Sequence, residues 1–380
     1  KAVNPKAKDV ITIPDNKEPI VAIFKDKECP YTNIDIVYKS EPMPSQYNPL
    51  AISVMNDIVK SLIGSILNER LDDIAKQPNA PFIDAGAGIY KFCATMEGFN
   101  GSVSAREGEG LKAFTALMTE LERSKRYGFT QAEYDRAKAN ILRNYEREAA
   151  NAAGRYNSQF VNSYINNFTD NEAYTTPEYM YDQVKGCLEM LNLDIINKAF
   201  ASVMTDENQV ITYCSPEKLG LAVPTAEQLI AVVNAVKAAK IDAPAGEVVN
   251  EPLMDASKLK GSAVKKVEKG KFETTILTLS NGIEVYVKST NFKKDEVMLN
   301  LTSKGGSSLL PDSVIPSISG SGLGLYLQNA GISKFPLAKL KKILTGKAVS
   351  IAPFIKNSTQ GIAGSSSPKD LETAFQLIYL

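Results

Sequence analysis

The sequence predicts an α+β protein of two homologous modules, each an antiparallel sheet covered by helices, with the second module incomplete. Three observations lead there. Over residues 1–221, short β-rich apolar runs and amphipathic helical stretches succeed one another in the order β-β-α-β-β-α-α-α-β. Beyond them, a stretch containing Pro, Gly, Ser and Lys but no stable period precedes a new hairpin at 275–288. Finally, "GSVSAREGEGLKAFTALM" (101–118) and "GIAGSSSPKDLETAFQLI" (361–378) match with a one-residue gap, as strand, polar connection and helix, which makes them an internal repeat.

Each element has a local reason. "IVAIF" (20–24) and "IDIVY" (34–38) are short, β-rich and separated by the turn-prone "KDKECPYTN". From Leu50 to Lys76, Met55, Ile58, Leu62, Ile66 and Leu67 recur at helical spacing and predict a long helix. Strands are expected at 82–93 and 98–105. The next helix carries Leu111, Phe114, Leu117, Met118 and Leu121 on one stripe and ends at Gly128 as C-cap. Thr130 and Glu133 then have capping-box spacing ahead of Tyr134, Ala137, Ile141 and Tyr145, which share a face. Helical stretches near 155–165 and 177–202 and a strand "QVITYC" (209–214) close the first module. A helix rich in Ala and Val (225–241) opens a helical and irregular linker over 222–270.

The second module, 271–380, begins with "TILTLSNGIEVYVK" (275–288), where Asn281-Gly282 predicts a two-residue type I′ turn between alternating strands. At its other end Ser367 and Asp370 have capping-box spacing, Pro368 suits the first turn, and Leu371, Ala374, Phe375 and Ile378 line one helix face. No Gly, Asn or basic last turn follows before Leu380, so the sequence reads as an excerpt of a longer protein.

Composition narrows the function. The 380 residues suffice for two domains, and 43 basic against 43 acidic residues give no bias toward nucleic acid or anionic membranes. No apolar run approaches the roughly 18 residues that span a bilayer, and "KAVNPKAKDV" is not a signal peptide. Histidine is absent altogether, which removes the usual zinc ligand and the usual general base near neutral pH. Cys29, Cys93, Cys187 and Cys214 form no C-x-x-C pair and read as small core side chains, with a Cys187–Cys214 disulfide left open. Gly320, Gly322 and Gly324 have the wrong spacing for a dinucleotide loop. Around Gly346-Lys347, Lys341 and Ala348 replace the first glycine and the Ser/Thr of a phosphate-binding loop. The acidic pairs Glu107/Glu109 and Glu120/Glu122 read as solvated surface. No catalytic, cofactor-binding or metal-ligating residue is nominated.

The first module resembles the pitrilysin/insulinase family of zinc peptidases, whose catalytic motif is H-x-x-E-H. The resemblance rests on "SILNERLDDIAKQ" (65–77) and on "RYGFTQAEYDRAKANILRNYE" (126–146), which is similar to the family's Gly-Phe-Thr-x-x-Glu-Leu-x-x-Ala-Lys helix start. The hairpin at 275–288 followed by "EVMLNLTSKGGSSLLPD" (296–312) looks like the start of another module of that kind. Long members of the family join four homologous modules as two halves around a closed chamber; the first carries the zinc motif and the fourth supplies an Arg and a Tyr to the tetrahedral intermediate. On that template this chain is the second module, the linker between halves and the start of the third. Its departures agree. The stretch where the motif would fall, 313–335, has no His and no Glu. Arg70 and Leu71 persist, but Phe82 stands about where the Tyr would be.

The resemblance therefore implies a non-catalytic segment of a chambered zinc endopeptidase, with zinc in a missing first module and a peptide as substrate of the full-length protein. The missing flanking modules are its partners, neither nucleic acid nor a membrane span is expected, and the fragment is expected to self-associate. A bacterial envelope location is favoured over the cytoplasm. The alternative is a non-proteolytic structural or binding subunit of the same fold; an H-x-x-E-H upstream of Lys1 would support the peptidase, and its absence the scaffold.

Overall fold

In the computed structural model, residues 10–244, 251–255, 257, 259–315 and 329–380 are described. They divide into two compact units, Lys1–Leu142 with Val161–Thr175 and Tyr179–Val248, and Arg143–Phe160 with Thr176–Glu178 and Val249–Leu380.

The first unit is built on a five-stranded sheet in the order β1-β5-β2-β4-β3. Its strands are β1 (Ile20–Asp26), β2 (Thr32–Ser40), β3 (Asp84–Cys93), β4 (Met96–Ala105) and β5 (Gln209–Pro216). The two apolar runs at the start of the chain do not pair. β5 lies between them, antiparallel to β2 and parallel to β1, so the sheet is mixed where the sequence predicts an antiparallel one. Alternation decides which side of the sheet is buried: Ile34, Ile36 and Tyr38 of β2 and Ile211 and Tyr213 of β5 are almost wholly inaccessible, while the residues between them are half-buried.

The helices up to residue 238 are α1 (Ala51–Ala75), α2 (Gly110–Tyr127), α3 (Gln131–Ala150), α4 (Asn157–Asp170), α5 (Pro177–Met190), α6 (Leu193–Val203) and α7 (Ala226–Ala238), with the end of α3 and the starts of α4 and α5 assigned to the second unit. α1 lies over β3, and α2 over β4 and β2. The apolar stripes are those the spacing predicts: Ile58, Leu62, Ile66 and Leu67 of α1 and Phe114, Leu117, Met118 and Leu121 of α2 are buried, although Met55 and Leu111 are only half-buried. Gly128 ends α2 with φ +72°, a left-handed conformation that costs a glycine little. The capping box then starts α3: the Thr130 hydroxyl accepts from the Glu133 amide at 3.3 Å, and a Glu133 carboxylate oxygen accepts from the Thr130 amide at 2.7 Å.

Residues 177–202 form two helices where the periodicity predicts one stretch. Asn192 interrupts them, its side chain accepting from the Ile195 amide at 3.0 Å as N-cap of α6. The helix that composition assigns to the start of the linker, α7, has a full Thr225/Gln228 capping box and packs against α2. Arg126 of α2 donates to the carbonyls of Val236, Lys237 and Ala239, satisfying the end of α7.

The second unit contains two three-stranded sheets. β6 (Val264–Lys269), β7 (Thr275–Leu279) and β8 (Glu284–Val287) form one. β9 (Val297–Lys304), β10 (Val349–Ile355) and β11 (Thr359–Ser366) form the other, in the order β10-β11-β9. The β7–β8 hairpin sets Leu277 opposite Val285, but its turn is not type I′. Only Gly282 has positive φ, at +87°; Asn281 does not. The Gly282 amide donates to the Leu279 carbonyl at 3.0 Å, so the tight turn spans 279–282 and Gly282 is the left-handed residue that follows its two central positions. Helices α8 (Leu337–Ile343) and α9 (Leu371–Tyr379) complete the unit. Its core cluster gathers Leu253, Phe335, Leu340 and Leu377. Ser367 accepts from the Asp370 amide at 3.2 Å ahead of α9, as its spacing predicts.

Candidate functional site

The most heavily buried charge cluster among the residues weighed from sequence lies in the first unit, around Arg70. The α1 stripe carries Arg70 inward beside Leu67 and Leu71, to 8 % exposure. Its guanidinium meets Glu133 as a fork, Nε to Oε1 at 2.6 Å and Nη2 to Oε2 at 2.8 Å. Nη1 donates to Glu120 Oε1 at 3.3 Å and to Ser124 Oγ at 3.0 Å; Nη2 also donates to the Gly128 carbonyl at 3.2 Å. The Phe129 ring lies 5.4 Å from the guanidinium carbon.

A guanidinium has five N–H donors, and all five are engaged. Arg70 therefore joins three helices at the point where α2 ends and α3 begins, and has no donor left for a reacting oxyanion. Burial opposes its charge, but Glu133 and Glu120 hold the guanidinium above its ordinary pKa. Burial likewise opposes the Glu133 carboxylate, which the Arg70 fork and Thr130 nonetheless hold below its usual range. For Glu120, burial dominates over the pull of Arg123 and Arg70 and pushes its pKa up. Phe82, at the position expected for a catalytic Tyr, is 0 % exposed and is part of the core.

Glu120 and Glu122 are not the solvated surface that their spacing suggests; both are buried. They do face different ways, Glu120 toward Arg70 and Arg123, Glu122 toward Arg126 at 2.7 Å. Arg123 and Arg126, one turn further along α2, and Arg70 from α1 give the two carboxylates the partners that let them sit out of water, although for Glu120 burial still outweighs them. Glu107 is exposed and pairs with Lys218, and Glu109 pairs with Lys112. The cysteines also depart from the core reading: Cys187 is buried, Cys29 and Cys214 are half-buried, and Cys93 is exposed. Cys214 adjoins Cys29 rather than Cys187, with the two sulfurs 3.4 Å apart. Gly320, Gly322 and Gly324 lie outside the described residues, as does most of the 313–335 stretch. A recess of about 370 Å³ between α1 and α5 is lined mostly by apolar residues such as Ile52, Met55, Cys187 and Met190, with Asp182 and Gln183 as its polar side chains.

No family model matches the chain. Over 307 residues it is 24 % identical to the zinc protease PQQL-like of Arabidopsis thaliana, a match covering 80 % of this chain and 29 % of that protein. Among solved structures it is similar to the periplasmic protease PqqL from Escherichia coli, with a TM-score of 0.57 and 18 % identity over 99 % of this chain and 41 % of that one. Pitrilysin gives a TM-score of 0.53 and 13 % identity over 98 % of this chain and 38 % of its own. The fold is that of the pitrilysin/insulinase peptidases. The resemblance carried by residues 65–77 and 126–146 is thus borne out, and the chain spans less than half the length of each of these relatives.

A pitrilysin/insulinase zinc site does not fit the residues present. The 380 residues contain no imidazole, and among the described residues no three His, Cys, Asp or Glu side chains gather as a ligand set. No helix of the described residues is long and apolar enough to cross a membrane.

Proposed function

We propose that this chain is a non-catalytic portion of a zinc-dependent endopeptidase that degrades peptides in a closed chamber, and that it walls the chamber and links its halves. Residues 1–221 are then the second module, 222–270 the inter-half linker and 271–380 the start of the third. The observation that supports this reading is a pitrilysin/insulinase fold made without a single histidine. Zinc and the general base belong to flanking modules of the full-length protein, peptides are its substrate, and we assign it to the bacterial envelope, the compartment named for PqqL. Separated from its flanking modules, the polypeptide is expected to self-associate through apolar surface such as Ile20 and Phe24 of β1, which are 50 % and 51 % exposed.

The test is an assay of this polypeptide against quenched fluorescent peptides with zinc supplied, beside the full-length protein. The expected result is turnover by the full-length protein alone, abolished by a chelator. Chelator-sensitive turnover by the 380-residue chain overturns the proposal.

A further inference from the structure

The connection from β1 to β2, residues 27–31, is an arch. Because β5 lies between those two strands, the arch must pass over the end of β5. Its footing is fixed by hydrogen bonds: the Cys29 amide donates to the Asp26 carbonyl at 3.3 Å, the Glu28 amide to the Asp26 carboxylate at 2.8 Å, and the Glu217 amide just past β5 to the same Asp26 carbonyl at 3.1 Å. Cys29 is the middle residue of the arch. Cys214 lies on the strand beneath it, paired with Phe24 of β1 on one side and Asn33 of β2 on the other. The pleat turns Ile211 and Tyr213 toward the helices and Cys214 to the opposite face, where it is half-buried. There the Cys214 thiol donates to the Cys29 sulfur at 3.4 Å, and the Cys29 thiol to the Tyr31 carbonyl at 2.8 Å.

We propose that Cys29 and Cys214 are a disulfide-forming pair that locks β5 into its slot between β1 and β2. The sulfurs must close from 3.4 Å to about 2.05 Å, a shift within reach of side-chain rotation on a short arch. The co-reactant is a small-molecule or protein disulfide. The Cys29 thiolate attacks it, forming a mixed disulfide and releasing one thiol. The Cys214 thiolate then attacks the Cys29 sulfur and releases the second, so two cysteine thiols are oxidised, one external disulfide is reduced to two thiols, and the bond closes a span of 185 residues. The order follows from the surroundings of Cys214: burial, Cys29, Asp26 and Asp35 push its thiol up to about 11, which suits the resolving position. The remaining cysteines have no such partner among the described residues: Cys187 is buried on α5, and the Cys93 sulfur is 3.5 Å from the Thr95 hydroxyl.

The strand pairing that seats β5 between β1 and β2 is what brings the two sulfurs together, so the bond should form readily in the folded chain. The test is to incubate the folded chain with glutathione disulfide, alkylate the remaining thiols, digest without reductant and identify linked peptides by mass spectrometry. The expected result is a Cys29–Cys214 peptide, absent from Cys29→Ser and Cys214→Ser variants. Reducing the oxidised wild-type chain should lower its thermal midpoint by on the order of 5 °C. This second measurement needs no variant. Both cysteines recovered fully alkylated, linkage only through Cys93, or a Cys29–Cys214 bond that appears only in denaturant would each overturn the proposal.

Discussion

The β10-β11-β9 sheet of the second unit repeats the β3-β4-β2 part of the first: in each, the middle strand is antiparallel to both neighbours and leads through a short polar connection into an amphipathic helix. The repeated segments 101–118 and 361–378 are β4 with α2, and β11 with α9. Past this shared portion the two differ. β2 receives β5 on its free edge and β5 receives β1, whereas among the described residues no strand pairs with the free edge of β9. Met298 of β9 is 81 % exposed, while Ile34, Ile36 and Tyr38 of β2 are almost fully enclosed. Three strands and one helix supply a local pattern; the strand returning from far along the chain and the helices laid across the sheet supply the core.

The largest expected effects test that difference in core. Phe114 of α2 and Phe335 near α8 are both fully buried, so truncating either to Ala should cost about 3–5 kcal/mol. The costs are alike but the consequences are not. Among the described residues, the buried cluster around Phe335 is small: Leu253, Leu340 and Leu377, with partly buried side chains such as Val349 and Ile351 packed against it. Phe335→Ala should therefore abolish hydrogen-exchange protection of β10 and β11 while leaving β2 and β5 protected, and Phe114→Ala should lower the first unit's denaturant midpoint without unfolding it at rest. Equal loss of protection in both units after Phe335→Ala would break the comparison.

Next comes Arg70. Removing one member of a buried pair leaves carboxylates without compensation, so Arg70→Ala should destabilise the first unit by about 3–5 kcal/mol in urea unfolding. Arg70→Lys should recover only part of this, because an ammonium cannot reproduce the fork to Glu133. Recovery by Lys to the wild-type midpoint would show that charge alone, not the five-donor geometry, matters there.

The two units should also respond differently to acid and salt. Glu133 is held below the ordinary glutamate range, so its stabilisation is complete above the unfolded-chain value and disappears as pH falls through the lower folded one. Glu120 has the opposite sign: burial raises it, it takes up its proton first on acidification, and its own protonation does not destabilise. Glu133→Gln should thus flatten the acid limb of the first unit's stability profile, and Glu120→Gln should not. In the second unit, Glu251 is drawn down to about 2 by Lys334 and Lys339. That carboxylate is partly exposed, so about 1 M salt should weaken its contribution more than it alters the Arg70 cluster's pH dependence. Urea midpoints at stepped pH, in low and high salt, separate the two.

What could be read from the sequence was local. The helical periods of α1 and α2, the Gly128 stop and the Thr130/Glu133 and Ser367/Asp370 caps depend on neighbours within a turn or two, and each is where its spacing puts it. The insertion of β5 depends on pairing Asn33 with Cys214, and no pattern inside "QVITYC" names that partner. The burial of Glu120 was hidden for a related reason, since one of its two counter-charges, Arg70, comes from α1, although Arg123 lies on its own helix. The α5–α6 break was legible in principle: Asn192 is a preferred N-cap, but the apolar spacing runs straight through it. The Cys29–Cys214 contact had no signal beyond the two residue types.

The smallest effect tests whether the second unit's two sheets are independent. Gly282 holds φ +87° just after the β7–β8 turn, with nothing within 4 Å of where a Cβ would stand. Gly282→Ala therefore meets no clash, only the backbone penalty of a left-handed L-residue, about 1 kcal/mol. Gly282→Asn should cost less, because Asn tolerates that region better. If β6–β8 is a sheet of its own, the loss of exchange protection after Gly282→Ala stays within 264–287 and β9–β11 is unchanged. Spread of the loss into 349–366 would mean that the hairpin and the β9–β11 sheet unfold together, and the contrast between the units would then lie in the size of one core rather than in its division.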